Sequence, residues 1–178
     1  MRVVAGLIAA ALCAMGPAGT SALAQAPPDV PIRQAAALDV PYLAQPILLC
    51  GGAALAMVER WWGRRGVYAA DFADLVRPAL GGIRTSDLEA AARARGWDTR
   101  ATDGSPALVQ QLLRDGVPVV ALIEVARDRY HYVVVLGWSD GRVVFHDPAD
   151  APSITMDENK FLARWTGANR WPITPSPS

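Results

Sequence analysis

Cysteine and histidine are scarce in this sequence, at two residues each among 178. That scarcity excludes the usual metal-binding patterns. There is no C-x-x-C pair and no H-x-x-x-H pair, and a tetrahedral zinc site would use up the thiol of Cys50. No metal and no cofactor are therefore expected. An excess of either charge is missing too, since 17 basic residues balance 17 acidic ones. Without a basic stripe or an acidic block, nucleic acid and anionic membrane surfaces are poor partners. Long hydrophobic runs are also lacking. The stretch from Val3 to Met15 is almost wholly apolar, yet falls short of the roughly 20 residues a membrane-crossing helix needs. No internal repeat is visible. What is present, 52% hydrophobic and 19% charged residues, suits one domain with a sizeable buried core.

Residues 1–24 read as an export signal. Arg2 supplies a positive charge, the apolar run follows, Gly16 and Pro17 end any helix, and Ala22-Leu23-Ala24 is a small-x-small cleavage pattern before Gln25. An uncleaved N-terminal anchor is the alternative. A lipoprotein signal is disfavoured because bulky Leu12 precedes Cys13. The expected location is the bacterial periplasm or the exterior, with no membrane insertion of the mature chain. Cleavage would remove Cys13 and leave Cys50 alone, so that no internal disulfide can form. A lone thiol in an oxidising compartment is either buried and inert or kept for its chemistry.

Residues 25–37, rich in Pro, Ala and Gln, read as a flexible leader, and the domain is expected over 38–172 with a Pro- and Ser-rich tail over 173–178. Leu38 to Tyr42 reads as extended, with Pro41 and Pro46 opposing a helix. From Cys50 the pattern predicts a buried helix of about three turns, apolar nearly all round and ended by Gly63. Further helices are expected near 71–76, 86–95 and 106–115. The second opens on a capping box, Ser86 to Glu89, and the third on Ser105 as cap with Pro106 behind it. Then the period changes. Val117–Val125, Tyr130–Trp138 and Arg142–His146 read as strands, with Ser139-Asp140-Gly141 as a hairpin turn, and a last helix falls near 157–165. This order implies an α+β domain, a helical half packed on an antiparallel sheet.

The segment around Cys50 carries the chemistry. A cysteine that opens a helix meets unpaired N–H groups and the positive end of the helix dipole, both of which favour the reactive thiolate. Gly51 and Gly52 are expected to let a substrate backbone approach the sulfur. Gln45, five residues earlier, is either a solvated loop residue or a donor to an oxyanion, with the backbone N–H of Cys50 as second donor.

His131 opens a predicted strand 81 residues after Cys50. A strand end can hold an imidazole against a helix terminus, where it takes the thiol proton and returns it to a leaving amine. The alternative is a cross-strand surface histidine. Pairing across the turn brings Asp147 towards the same end of the sheet, where its carboxylate can orient the imidazole. Asp147 can equally be a plain turn residue before Pro148. His146 alternates to the opposite side of its strand and reads as structural or surface-exposed.

At these residues the sequence resembles the bacteriocin-processing, double-glycine leader peptidases and their stand-alone papain-like relatives. The likeness runs through Val40-Pro41-Tyr42, Gln45, Cys50-Gly51, Ala53-Ala54-Leu55 and Trp62-Gly63, resumes at His131 to Val135 with Gly137, and ends at Asp147-Pro148. The resemblance implies a papain-like cysteine peptidase fold, with Cys50 as nucleophile, His131 as base, Asp147 as orienting acid and Gln45 as oxyanion donor. Two positions depart from the family pattern, Leu49 where a polar residue is common and Gly52 where proline is. The processing enzymes are fused to a transporter, of which this sequence shows nothing.

Three functions compete at this point. The first is an exported cysteine peptidase acting on an exported polypeptide or peptide, with cleavage after Gly or Ala and a Gly-Gly pair as one form of it. The second is a non-catalytic peptide-binding or assembly module of the same fold. The third is a thiol acyltransferase or amidase, because an acyl-enzyme can be intercepted by amines as well as water.

Overall fold

The computed structural model describes residues 37–101 and 104–177. The expected export signal lies outside the described residues, as does the expected leader apart from its last position. In chain order the elements are α1 (Cys50–Trp61), β1 (Val76–Arg77), β2 (Gly82–Ile83), α2 (Thr85–Ala94), β3 (Trp97–Ala101), α3 (Pro106–Arg114), β4 (Val119–Ala126), β5 (Arg129–Ser139), β6 (Arg142–His146), β7 (Ile154–Asp157), α4 (Glu158–Gly167) and β8 (Pro172–Pro177). A 3₁₀ turn, Ala69–Leu75, stands where a helix over 71–76 was expected.

The hairpin of β5 and β6 closes on Asp140-Gly141, which have φ of 51° and 70°. Positive φ at both central positions is the type I′ turn whose twist matches that of the flanking strands. The two strands carry a bulge between Val135 and Gly137, after which Val134 faces His146. Six strands form one antiparallel sheet in the order β3-β8-β4-β5-β6-β7. Tyr132, Val134 and Leu136 of β5 join the core beneath α1, while Val133 and Val135 join the core of α3 and α4, with Val109, Phe161 and Trp165. Helices thus cover both faces of the sheet. This explains the nearly unbroken burial of β5 from His131 to Trp138. The class is α+β, as expected, with helices packed on an antiparallel sheet.

Helix α1 is buried from Cys50 to Glu59. Two glycines in its first turn weaken it by roughly 1 kcal/mol each, and the packing shows why they are there. A Cβ on Gly51 would come within 3.1 Å of the Tyr132 ring, and one on Gly52 within 2.8 Å of the Ala69 carbonyl oxygen. The glycines therefore let α1 approach β5 and the 3₁₀ turn. They do not open space for a substrate, which corrects the expectation drawn from the sequence.

Helix α3 starts as expected. The Ser105 hydroxyl accepts the Leu108 N–H at 3.2 Å, with Pro106 next in line. The capping box expected at Ser86 does not form. Helix α2 begins at Thr85, its cap Arg84 makes no side-chain bond, and Glu89 accepts from the Trp171 indole at 2.9 Å. A tertiary partner outcompetes the local one. The expected tail is β8, seated between β3 and β4. Its prolines argue against a central strand. The structure tolerates them because β8 meets β4 at only two positions, Val120 with Ile173 and Ala121 with Pro172.

Candidate active site

An extended strap over residues 38–49 leads into α1 without joining the sheet. Four hydrogen bonds fix it. The Leu38 N–H donates to the Leu136 carbonyl at 3.0 Å and the Gln45 N–H to the Pro148 carbonyl at 2.8 Å. The Tyr42 hydroxyl donates to the Asp147 carbonyl at 3.1 Å, and His146 meets the Val40 carbonyl at 2.8 Å. The strap ends in a kink, with Leu48 at φ 64°. A bulky residue with positive φ is strained, and such strain gathers at functional sites. Gln45, Leu48 and Cys50 line a cleft of about 890 Å³. Leu80–Ser86, Val125 and Tyr130 of the β4–β5 turn, and Ala149 line it as well.

At the cleft floor His131 and Asp147 form a hydrogen-bonded pair, with 2.5 Å between Nε2 and Oδ1. The side chain of His131 also lies close enough to the Cys50 thiol to favour its thiolate. Nε2 is committed to Asp147, so the nitrogen that serves the sulfur is Nδ1. Asp147 is itself fixed by the Ala149 N–H at 2.9 Å. The cap residue Leu49 brings no side-chain acceptor to the helix start, and the backbone N–H groups of Gly51 and Tyr132 favour the thiolate.

Burial pushes the Cys50 thiol up, but His131 and the backbone N–H groups of Tyr132 and Gly51 outweigh it and hold the thiol below its ordinary value. Burial likewise opposes a charged His131, yet Asp147 and Cys50 together raise the imidazole from 6.5 to about 9. Asp147, despite burial, is held below the ordinary carboxylate value by His131 and the Ala149 N–H. All three shifts favour thiolate, imidazolium and carboxylate in a row. That arrangement is a nucleophile with a proton donor beside it.

Gln45 shares this cleft, and its buried Oε1 has no hydrogen-bond partner. That oxygen can only accept, so a donor role for Gln45 would fall to its Nε2 group. His146 points elsewhere. It is buried, bonding Val40 on one side and accepting the Ser153 N–H at 3.0 Å on the other. Of the two readings open to it, structural and surface-exposed, the first holds. The sequence reading passed over Tyr132, whose N–H favours the thiolate and whose hydroxyl donates to the Ile83 carbonyl at 3.0 Å. Its adjacency to His131 was the available signal. Among the described residues no three His, Cys, Asp or Glu side chains gather as a metal site.

The model of the Peptidase_C39 like family matches residues 37–172. The chain belongs to that family. Three solved structures share the C39 fold. A C39-like peptidase from Bacillus anthracis is 17% identical, with a TM-score of 0.66 over 79% of this chain and 96% of that one. The peptidase domain of Streptococcus ComA, a bifunctional ABC transporter of a quorum-sensing pathway, is 23% identical, with a TM-score of 0.62 over 76% of this chain and 97% of that one. A double-glycine-motif protease from an AMS/PCAT transporter, solved with its leader peptide, is 20% identical, with a TM-score of 0.58 over 79% and 94%. No curated protein matches the chain. Within this C39-like chain the two departures noted in the sequence face inward. Leu49 is buried in the core under α1 and Gly52 lies against Ala69 and Phe72, so neither shapes the cleft.

Proposed function

We propose that this C39-like protein is an exported cysteine peptidase that cuts a polypeptide at a slim, small-residue site. The observation that carries the reading is the gathering of Cys50, His131 and Asp147 in one cleft, with His131 bonded to Asp147 and close enough to the thiol to favour its thiolate. The Cys50 thiolate attacks the scissile carbonyl carbon. Gln45 and the Cys50 backbone N–H donate to the oxygen as it gains charge. His131 passes its proton to the leaving amine, and the acyl-enzyme formed on sulfur is hydrolysed by water, with His131 as base. Asp147 keeps the imidazole in the tautomer that faces sulfur.

The preference for small residues rests on depth. Cys50 is only 8% exposed, so a bulky side chain beside the scissile bond would keep the carbonyl from the sulfur. The leader peptide bound to the double-glycine-motif protease is in keeping with this. Leu80, Val125 and Tyr130, all exposed along the cleft, offer apolar surface to the rest of the polypeptide. The N-terminal pattern supports export, so the substrate is a polypeptide met in the periplasm or outside the cell. Among the described residues no helix is long and apolar enough to cross a membrane.

A mixed peptide library tests the reading. Cleavage by the purified protein after Gly or Ala, abolished in Cys50→Ala, is the expected result. Cleavage that persists in Cys50→Ala, or a preference for bulky or basic residues at the cut, would sink it. Edman sequencing of the secreted protein tests export, with Gln25 expected as the first residue.

A further inference from the structure

The second histidine sits at a junction that this reading leaves without a task. His146 is 4% exposed. Its Nε2 lies 2.8 Å from the Val40 carbonyl, and its Nδ1 takes the Ser153 N–H at 3.0 Å. A carbonyl only accepts and an N–H only donates, so the proton is on Nε2 and Nδ1 is bare. Its ring also stands edge-on to Tyr42, with centroids 5.4 Å apart. His146 therefore grips the strap at Val40 and braces it at Tyr42.

The strap depends on such grips because it has no strand ladder of its own. Gln45 hangs near its end, where its N–H bonds the Pro148 carbonyl. Asp147 also meets the strap, since its carbonyl takes the Tyr42 hydroxyl at 3.1 Å, but it has further holds outside the strap. Its N–H donates to the Ala151 carbonyl at 3.1 Å, its carboxylate takes the Ala149 N–H, and the strand before it pairs with β5 as far as His146. Loosening the hold on Val40 is therefore expected to disturb Gln45 more than the partners of the sulfur.

Resting on the function proposed above, we infer that His146 is a positioning residue for Gln45, acting through Val40 and Tyr42 to set the oxyanion donor. Two amides separate its two bonds. An asparagine places its amide where Nδ1 lies, keeping Ser153 and falling short of Val40. A glutamine reaches Val40.

The test compares turnover of a cleavable reporter peptide with alkylation of Cys50 by iodoacetamide. Alkylation displaces iodide and builds no oxyanion, so it reads the thiolate alone. At pH 6 only an activated thiol reacts fast, and turnover is expressed per fast-reacting thiol, which leaves unfolded protein out. His146→Asn is expected to lower kcat on the order of 10²-fold, the cost of a misplaced group, with the fast alkylation rate unchanged. His146→Gln is expected to restore most of the turnover. In a Gln45→Ala background, His146→Asn should cost nothing further, since the group it positions is gone.

Equal losses in alkylation and turnover, parent-level turnover in His146→Asn, or full additivity with Gln45→Ala would each overturn the inference. Should His146→Asn yield no fast thiol, His146→Gln decides alone. Turnover near the parent supports the inference, and a loss as deep as that of Gln45→Ala overturns it. A parent protein that turns over no peptide refutes the peptidase reading and this inference with it. An active parent with additive variants refutes only the inference.

Discussion

Gly51 packs against the ring of Tyr132, where a Cβ would come within 3.1 Å of Cδ2 and Cε2. The backbone of the same Tyr132 favours the Cys50 thiolate, and its hydroxyl donates to the carbonyl of Ile83, which lines the cleft. The absence of a side chain at Gly51 thus sets both how closely the helix meets the strand and how the cleft is walled.

Gly51→Ala forces the ring to give way, and Gly52→Ala meets a backbone oxygen that cannot. Overpacking of this kind costs about 1–3 kcal/mol, against about 1 kcal/mol gained from alanine in a helix. Gly52→Ala is therefore expected to be the more destabilised of the two in urea denaturation. Gly51→Ala is expected to lose activity out of proportion to stability, because the Tyr132 backbone favours the thiolate. Equal midpoints for the two variants would refute this ordering.

Asp147→Asn is expected to lower kcat/KM on the order of 10²- to 10⁴-fold, by freeing the imidazole to take the wrong tautomer. His146→Gln should lose far less, since His146 does not contact the sulfur. The asparagine variant should also show a lower alkaline limit, because the carboxylate bond is one of the causes that raise His131. Comparing the pH–rate profiles of the two proteins checks both points.

The pH dependence follows from the two opposed shifts. Cys50 is lowered, so the thiolate forms below the ordinary thiol value of 9.0. His131 is raised, so the imidazolium persists up to about 9. Activity should occupy the window between these limits and fall on the alkaline side near pH 9, as His131 loses the proton the leaving amine needs. Stability carries the same sign. The contribution of His131 is fully present below its ordinary 6.5 and is lost as pH rises through about 9. That of Asp147 is present above the ordinary carboxylate value and is lost on acidification through its lowered one. An alkaline limit near pH 7 would contradict the assignment.

At the far end of α1, Glu59 is fully buried and takes Arg95 through two bonds of 2.7 and 2.8 Å. Arg64 approaches the same carboxylate at 3.4 Å. Arg95→Ala strands much of a buried charge and is expected to destabilise the fold by about 3 kcal/mol. The alkylation rate of Cys50 in the folded fraction should not change, because the pair lies at the opposite helix end. Chemical denaturation and the iodoacetamide rate together check this, and slower alkylation in folded protein would contradict it.

The residues by themselves determined those parts of the molecule that rest on local chemistry. Asp140-Gly141 can take positive φ at little cost, so the hairpin and its register were legible, and with them the approach of Asp147 to His131. Ser105 and Pro106 announced α3. A cysteine opening an apolar stretch announced the helix that presents it. Other features were hidden because distant residues decide them. The prolines of β8 disguise a strand that exists only because β3 and β4 lie on either side of it. Glu89 left its local cap for the Trp171 indole, one element away in space and 82 residues away in sequence. Gly51 and Gly52 looked like room for a ligand, and only the packed structure shows the space filled by Tyr132, Ala69 and Phe72. Likewise His146 and Asp147 are adjacent in the chain, yet one grips the strap and the other the His131 imidazole. Neighbouring strand residues face opposite ways, and what waits on each side is settled by tertiary contacts that no local pattern encodes.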